Sequence, residues 1–97
     1  DIVLYDAGVD VHRDDRLGYL ELTDMGIWQR DQYVVSECML RGLPTACVIG
    51  GGYDRNIEKL AIRHSILHKA VTHLLKNHGA PALPSKKDLG FLKLSFE

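Results

Sequence analysis

The apolar positions of this chain fall into blocks of two kinds. Ile2-Val3-Leu4-Tyr5 is a short continuous apolar run rich in strand formers, and Asp6-Ala7-Gly8 closes it with a turn signal. A run without alternation suits a strand covered on both faces, as in a parallel sheet. Residues 8–22 keep no helical period and read as a loop. Thr23 and Asp24 then offer a helix start, with Thr23 as the N-cap. Ile27, Asp31, Val34, Cys38 and Arg41 mark one line along that helix and Trp28, Val35 and Met39 the adjacent line, and the apolar members form a stripe that should face a sheet. Gly42 and Pro44 stop it.

Thr45-Ala46-Cys47-Val48-Ile49 is the second strand-like run, and it ends at Gly50-Gly51-Gly52-Tyr53. A second helix should begin near residues 54–56. Ile57, Leu60, Ala61, Leu67, Val71, Leu74 and Leu75 repeat at helical spacing, and Gly79 and Pro81 end the pattern. The order strand–loop–helix–strand–loop–helix predicts two parallel strands joined by a crossover helix. Pro81, Pro84 and Ser85-Lys86-Lys87-Asp88 read as a linker, and the alternating Phe91-Leu92-Lys93-Leu94-Ser95-Phe96 as a candidate edge strand.

Length changes the picture. Ninety-seven residues make at most one small domain. The chain opens on Asp1-Ile2-Val3-Leu4-Tyr5, which reads as a strand interior, so the expectation is a C-terminal segment of something larger. Charged residues make up 26% and the formal net charge is −1, so no basic excess points to direct nucleic-acid binding. No run has the length of a membrane-spanning helix and no secretory leader is visible. Cys38 and Cys47 both sit in apolar stretches without metal-like spacing and read as reduced core residues. That usage favours a cytoplasmic setting, with a nuclear or organellar one as the alternative.

Candidate chemistry gathers at the ends of the two strands, where open α/β sheets place their sites. Asp10, Asp14 and Asp15 lie within six residues, beside His12. Carboxylate oxygen and imidazole nitrogen are ligands for a divalent metal, although a solvated acidic loop with a turn or cap explains the same composition. The three glycines at 50–52 permit close backbone approach to a ligand. They also suit a phosphate cradle at a helix N-terminus or a tight strand-to-helix turn, but neither the Walker nor the dinucleotide spacing is present. Tyr53 could donate to a developing oxyanion. His64 and His68 are four apart, a chelating spacing, but without a nearby third ligand they read as packing or surface histidines. His73 and His78 lie near the helix end, where a cation would suit the macrodipole.

Taken together, Leu4-Tyr5-Asp6-Ala7-Gly8-Val9-Asp10, Asp15-Arg16-Leu17-Gly18, Leu22-Thr23 and Gly50-Gly51-Gly52-Tyr53 resemble the C-terminal third of the zinc-dependent histone deacetylase superfamily. That group includes acetoin-utilisation proteins and acetylpolyamine amidohydrolases, and the similarity is closest to bacterial and class IV-like members. The resemblance implies a fold: the C-terminal β-α-β-α portion of an arginase/deacetylase-type parallel-sheet three-layer sandwich, with residues 1–78 in the deacetylase domain and 79–97 as a tail. It implies roles as well. Asp15 would be a ligand of a catalytic Zn2+, Tyr53 the donor that polarises the acetyl carbonyl, and Gly51 and Gly52 the lining of the substrate channel. Asp10 would have a supporting role, and His12 matches no ligand position.

The implied reaction is hydrolysis of the acetyl amide of acetyl-lysine or a small acetylated amine, with no direct nucleic-acid or membrane partner and no indication of oligomeric state. The family's histidine pair and its Asp-X-His ligands do not occur here. Asp10-Val11-His12 spells that tripeptide but lies in the later motif's loop. The expectation is therefore a segment that is inactive alone. The alternatives are a non-catalytic remnant or interaction module of the same fold, and a flavodoxin-like phosphate or nucleotide binder.

Overall fold

A computed structural model describes residues 1–84. Its elements are β1 (Val3–Asp6), α1 (Asp24–Leu40), β2 (Thr45–Val48) and α2 (Ile57–Lys76). The candidate strand at 91–96 lies outside the described residues. β1 and β2 pair in parallel, with Val3 opposite Thr45 and Asp6 opposite Val48. Parallel pairing needs a crossover, and α1 is the helix within it. This is a small α/β unit of the β-α-β-α order read from the sequence.

Each helix is capped by its own sequence. Thr23 Oγ1 accepts the Gly26 N–H at 3.1 Å, and Asn56 Oδ1 accepts the Lys59 N–H at 3.1 Å. At the end of α1, Gly42 takes φ +64°, and the N–H groups of Gly42 and Leu43 return to the carbonyls of Met39 and Cys38. That pair of bonds is the Schellman arrangement, and it needs the left-handed conformation glycine supplies. The last turn of α2 ends at Lys76, three residues before Gly79. There Gly79 N–H reaches back to the Leu74 carbonyl at 2.8 Å.

The core is the contact between α1 and α2. Val9, Ile27, Trp28, Ile66 and Ala70 form its centre, with Val11, Leu22, Met25 and Leu60 packed around it. The inward face of α1 follows the predicted stripe at Ile27, Trp28, Val35 and Cys38, with Val34 half-buried and Met39 outside it. That of α2 differs from expectation. Arg63, Ile66, Leu67, Ala70 and Leu74 point inward, whereas Ile57, Ala61 and Leu75 are exposed. α2 carries apolar residues on more than one face, so its period alone does not choose the face that meets α1.

The sheet is covered on one side among the described residues. Tyr5 faces α1 and donates its phenol hydrogen to Asp31 Oδ1 at 2.5 Å. Leu4 and Val48, on the opposite face, are exposed, where the continuous apolar runs predict cover on both faces. Cys38 and Cys47 are free thiols, the first buried and the second half-buried. Residues expected to be linker instead strap onto α1: the Trp28 indole N–H donates to the Ala82 carbonyl at 3.0 Å, and the Ala82 N–H donates to Gln32 Oε1 at 2.8 Å.

Candidate active site

Because β1 and β2 run parallel, the loops that follow them leave the same edge of the sheet. Backbone bonds then sew the loops together. Ala7 N–H donates to the Val48 carbonyl at 3.0 Å, and the Gly51 carbonyl accepts from Val9 at 2.6 Å and from Asp10 at 3.2 Å. Further along, Arg16 N–H donates to the Tyr53 carbonyl at 2.9 Å.

Asp15 is buried at the centre of this seam. Its Oδ2 accepts the N–H groups of Leu17 at 2.9 Å and Gly18 at 2.8 Å, which closes the turn around it. Its Oδ1 accepts the Tyr53 N–H at 2.6 Å. Burial favours the neutral acid, but the three backbone donors and the Arg63 cation more than offset it and hold Asp15 below the usual carboxylate range. A carboxylate has about four lone-pair sites. The three N–H groups take two sites on Oδ2 and one on Oδ1, which leaves Oδ1 able to meet a cation. An anionic oxygen with one open direction has the chemistry of a single metal ligand.

The other acidic-loop residues do not converge on it. Asp14 is exposed. His12 is fully buried and turned the other way: its Nδ1 accepts the Asp14 N–H at 3.0 Å, so Nε2 carries the hydrogen and donates to Asp24 Oδ1 at 2.8 Å. His12 and Asp14 therefore do not join Asp15 in a ligand cluster, and the acidic loop takes the turn explanation that its composition also allowed. Among the described residues no group of three or more His, Cys, Asp or Glu side chains is placed to hold a metal ion.

The glycines serve close approach. A Cβ on Gly51 would lie 2.8 Å from Asp10 Cγ, and one on Gly52 would lie 2.6 Å from Val9 Cγ2 and 2.9 Å from His64 Nε2. Gly51 and Gly52 thus sit between the Asp10 carboxylate, Val9 and the His64 ring. A phosphate cradle is disfavoured, because residues 53–56 separate the glycines from α2 and Asn56 already caps that helix. Tyr53 follows the glycines, with its side chain about half exposed at 47%. His64 is half-buried against Gly52, and burial pushes its imidazole down from the ordinary value. His68 is exposed.

One charged residue was not foreseen. Arg63 is 3% exposed, and its Nη2 meets Asp54 Oδ2 at 2.8 Å. An arginine within a helical period is ordinarily read as surface. The available signal was its place three, seven and eleven residues before Ile66, Ala70 and Leu74.

The chain is an α/β protein: a parallel β-α-β-α unit in which a buried carboxylate and a tyrosine-bearing loop are joined at one sheet edge. Residues 1–69 match the histone deacetylase domain, and the chain belongs to that family. It is 56% identical over 70 residues to an uncharacterised protein of Picosynechococcus sp., a match that takes in 72% of this chain and 23% of that relative. The chain therefore spans about a quarter of the length of the curated relative it matches.

Proposed function

We propose that this chain contributes one wall of the active site of a zinc-dependent deacetylase that hydrolyses the acetyl amide of acetyl-lysine or a small acetylated amine. The observation that carries the reading is the 2.6 Å bond between the Tyr53 N–H and the Asp15 carboxylate. It puts a candidate metal ligand and a candidate oxyanion donor on adjoining backbone. Bound zinc would supply carbonyl polarisation and an acidified water. Asp15 Oδ1 would be one of its ligands. The Tyr53 phenol would donate a hydrogen bond to the carbonyl oxygen as negative charge develops there. Gly51 and Gly52, without side chains, would leave room for the acyl-amine beside Tyr53.

A catalytic zinc takes three protein ligands, and Asp15 is one. Among the described residues no further ligand joins Asp15, so the remaining ligands and the general base would come from elsewhere in the full-length protein, and the isolated chain should neither hold zinc tightly nor turn over substrate. The test is made in the full-length protein. Asp15→Asn should remove both zinc and activity. Tyr53→Phe should retain zinc and lower kcat by about 10²-fold or more, the scale of a lost oxyanion donor. Normal deacetylation by both variants would sink the assignment.

A further inference from the structure

The inward face of α2 holds a cation where its neighbours are apolar. Arg63 lies in line with Ile66, Leu67, Ala70 and Leu74 and is 3% exposed. A buried charge persists when it is paired and hydrogen-bonded. The Arg63 partner is Asp54, at 2.8 Å, while Nη1 has no hydrogen-bond partner among the described residues. The Asp54 carboxylate is held on its other oxygen too, since Oδ1 accepts the Asn56 N–H at 2.8 Å.

Asp54 directly follows Tyr53. The Tyr53 N–H is fixed by Asp15 and its carbonyl by Arg16. Its side chain is about half exposed. The placement of the phenol thus depends on backbone, and Asp54 is the next point at which that backbone is tied down. An exposed ion pair would hold it weakly. This pair includes a guanidinium almost wholly out of water, so Asp54 cannot swing away without stranding a buried charge.

We infer that Arg63 is a positioning residue that acts through Asp54 to fix the backbone from which Tyr53 presents its phenol. The role in turnover rests on the deacetylase reading above; the effect on the Tyr53 backbone does not.

The experiment compares wild type, Arg63→Met, Arg63→Lys, Tyr53→Phe and the Arg63→Met/Tyr53→Phe double variant in the full-length protein. Hydrogen exchange at the Tyr53 amide, bound zinc, kcat and KM are measured. Arg63→Met should speed exchange at the Tyr53 amide and lower kcat by about tenfold or more, as expected for a misplaced catalytic group, with zinc content and KM little changed. Arg63→Lys keeps the charge without the fork and should fall between wild type and Arg63→Met in both readouts, which preserves the test if Arg63→Met folds poorly. In the Tyr53→Phe background, Arg63→Met should cost nothing further in kcat. Wild-type exchange at Tyr53 in both Arg63 variants would overturn the inference, as would an equal loss of kcat with and without the phenol. If the wild-type protein has no deacetylase activity, the functional reading fails while the exchange rate still decides the role of Arg63.

Discussion

Asp15 and Tyr53 stand 38 residues apart in the chain, yet the N–H of one donates to the carboxylate of the other at 2.6 Å. The bond has a second strand, because Arg16 returns its own N–H to the Tyr53 carbonyl. Neither loop can shift alone without breaking one of these contacts. The carboxylate is also the hub of its own turn through Leu17 and Gly18, so a single side chain sets both the fold of the acidic loop and its distance from the glycine loop.

That dual duty has a pH signature. The folded state holds Asp15 below its ordinary value: burial opposes ionisation, and the donors from Tyr53, Leu17 and Gly18 more than offset it. A depressed folded pKa means that the unfolded chain binds the proton more readily. The stabilisation is therefore complete above the unfolded value, about 3.9, and is lost as pH falls through the folded one. Asp15→Asn keeps the shape but turns an amide N–H₂ toward at least one backbone donor. It should cost roughly 1–3 kcal/mol at pH 7. Urea unfolding of wild type and variant should show a constant difference from pH 7 to pH 5 that narrows below about pH 4. A difference that vanished near pH 6 would point to some other group.

The glycines at the seam should differ in what they tolerate. A Cβ on Gly18 would fall 1.8 Å from the Asp10 carbonyl oxygen, which is backbone and cannot step aside. A Cβ on Gly50 would fall 1.9 Å from Asp6 Oδ1, the end of an exposed side chain that can rotate away. Gly18→Ala should cost about 2 kcal/mol or more, the scale of an unrelieved overpacking clash, and Gly50→Ala about 1 kcal/mol or less. Chemical denaturation of the two variants checks the order, and the reverse order would show that the Asp10 backbone is free to move.

His12 and Asp24 are both fully buried, and the Asp24 Oδ2 has no hydrogen-bond partner among the described residues. Asp24 therefore depends on the imidazole. His12→Leu should destabilise by about 2–3 kcal/mol, because it removes the hydrogen bond that the imidazole N–H gives a buried carboxylate and leaves that carboxylate unsatisfied. Adding Asp24→Leu should recover much of that loss, since removing both polar partners avoids the stranded charge. The double-mutant cycle measures the coupling directly, and strictly additive losses would show that the two groups stabilise the protein separately.

These relationships divide by how far the sequence exposes them. The order of elements, the Thr23 cap and the Gly42 stop were legible, because capping chemistry and periodicity are local. Asp15 and Tyr53 could be singled out together from their motifs. The hydrogen bond between them could not be foreseen, because it depends on how two loops leave a sheet edge. His12 shows the limit clearly. Beside three aspartates it invites a metal reading, and only the fold reveals that Asp24, at the start of α1, takes its Nε2. Arg63 was illegible for the opposite reason: its charge hid its place on the inward face of α2. Leu4 and Val48 read as covered on both faces, and the described residues cover one.

Tyr5 gives a last test, at the joint between β1 and α1. Its phenol donates to Asp31 Oδ1 at 2.5 Å, and the Arg30 Nε–H donates to the same oxygen at 3.0 Å. Arg30 also reaches the Gly8 carbonyl through Nη1 at 2.7 Å, which ties this cluster to the start of the acidic loop. Burial pushes the Asp31 carboxyl up, and the bonds from Tyr5 and Arg30 pull it part of the way back. Tyr5→Phe removes one of those compensating donors, so it should raise the Asp31 value further and cost about 1.5–3 kcal/mol at pH 7, the range for a hydrogen bond to a charged group. A folded pKa above the unfolded one means that the folded state holds the extra proton, so acidification favours folding through this group. The penalty of Tyr5→Phe should therefore shrink as pH falls toward the ordinary carboxylate range and Asp31 takes up its proton. Urea unfolding at pH 7 and near pH 4.5 distinguishes the outcomes, and a penalty that grew on acidification would show that the phenol does not support an ionised Asp31.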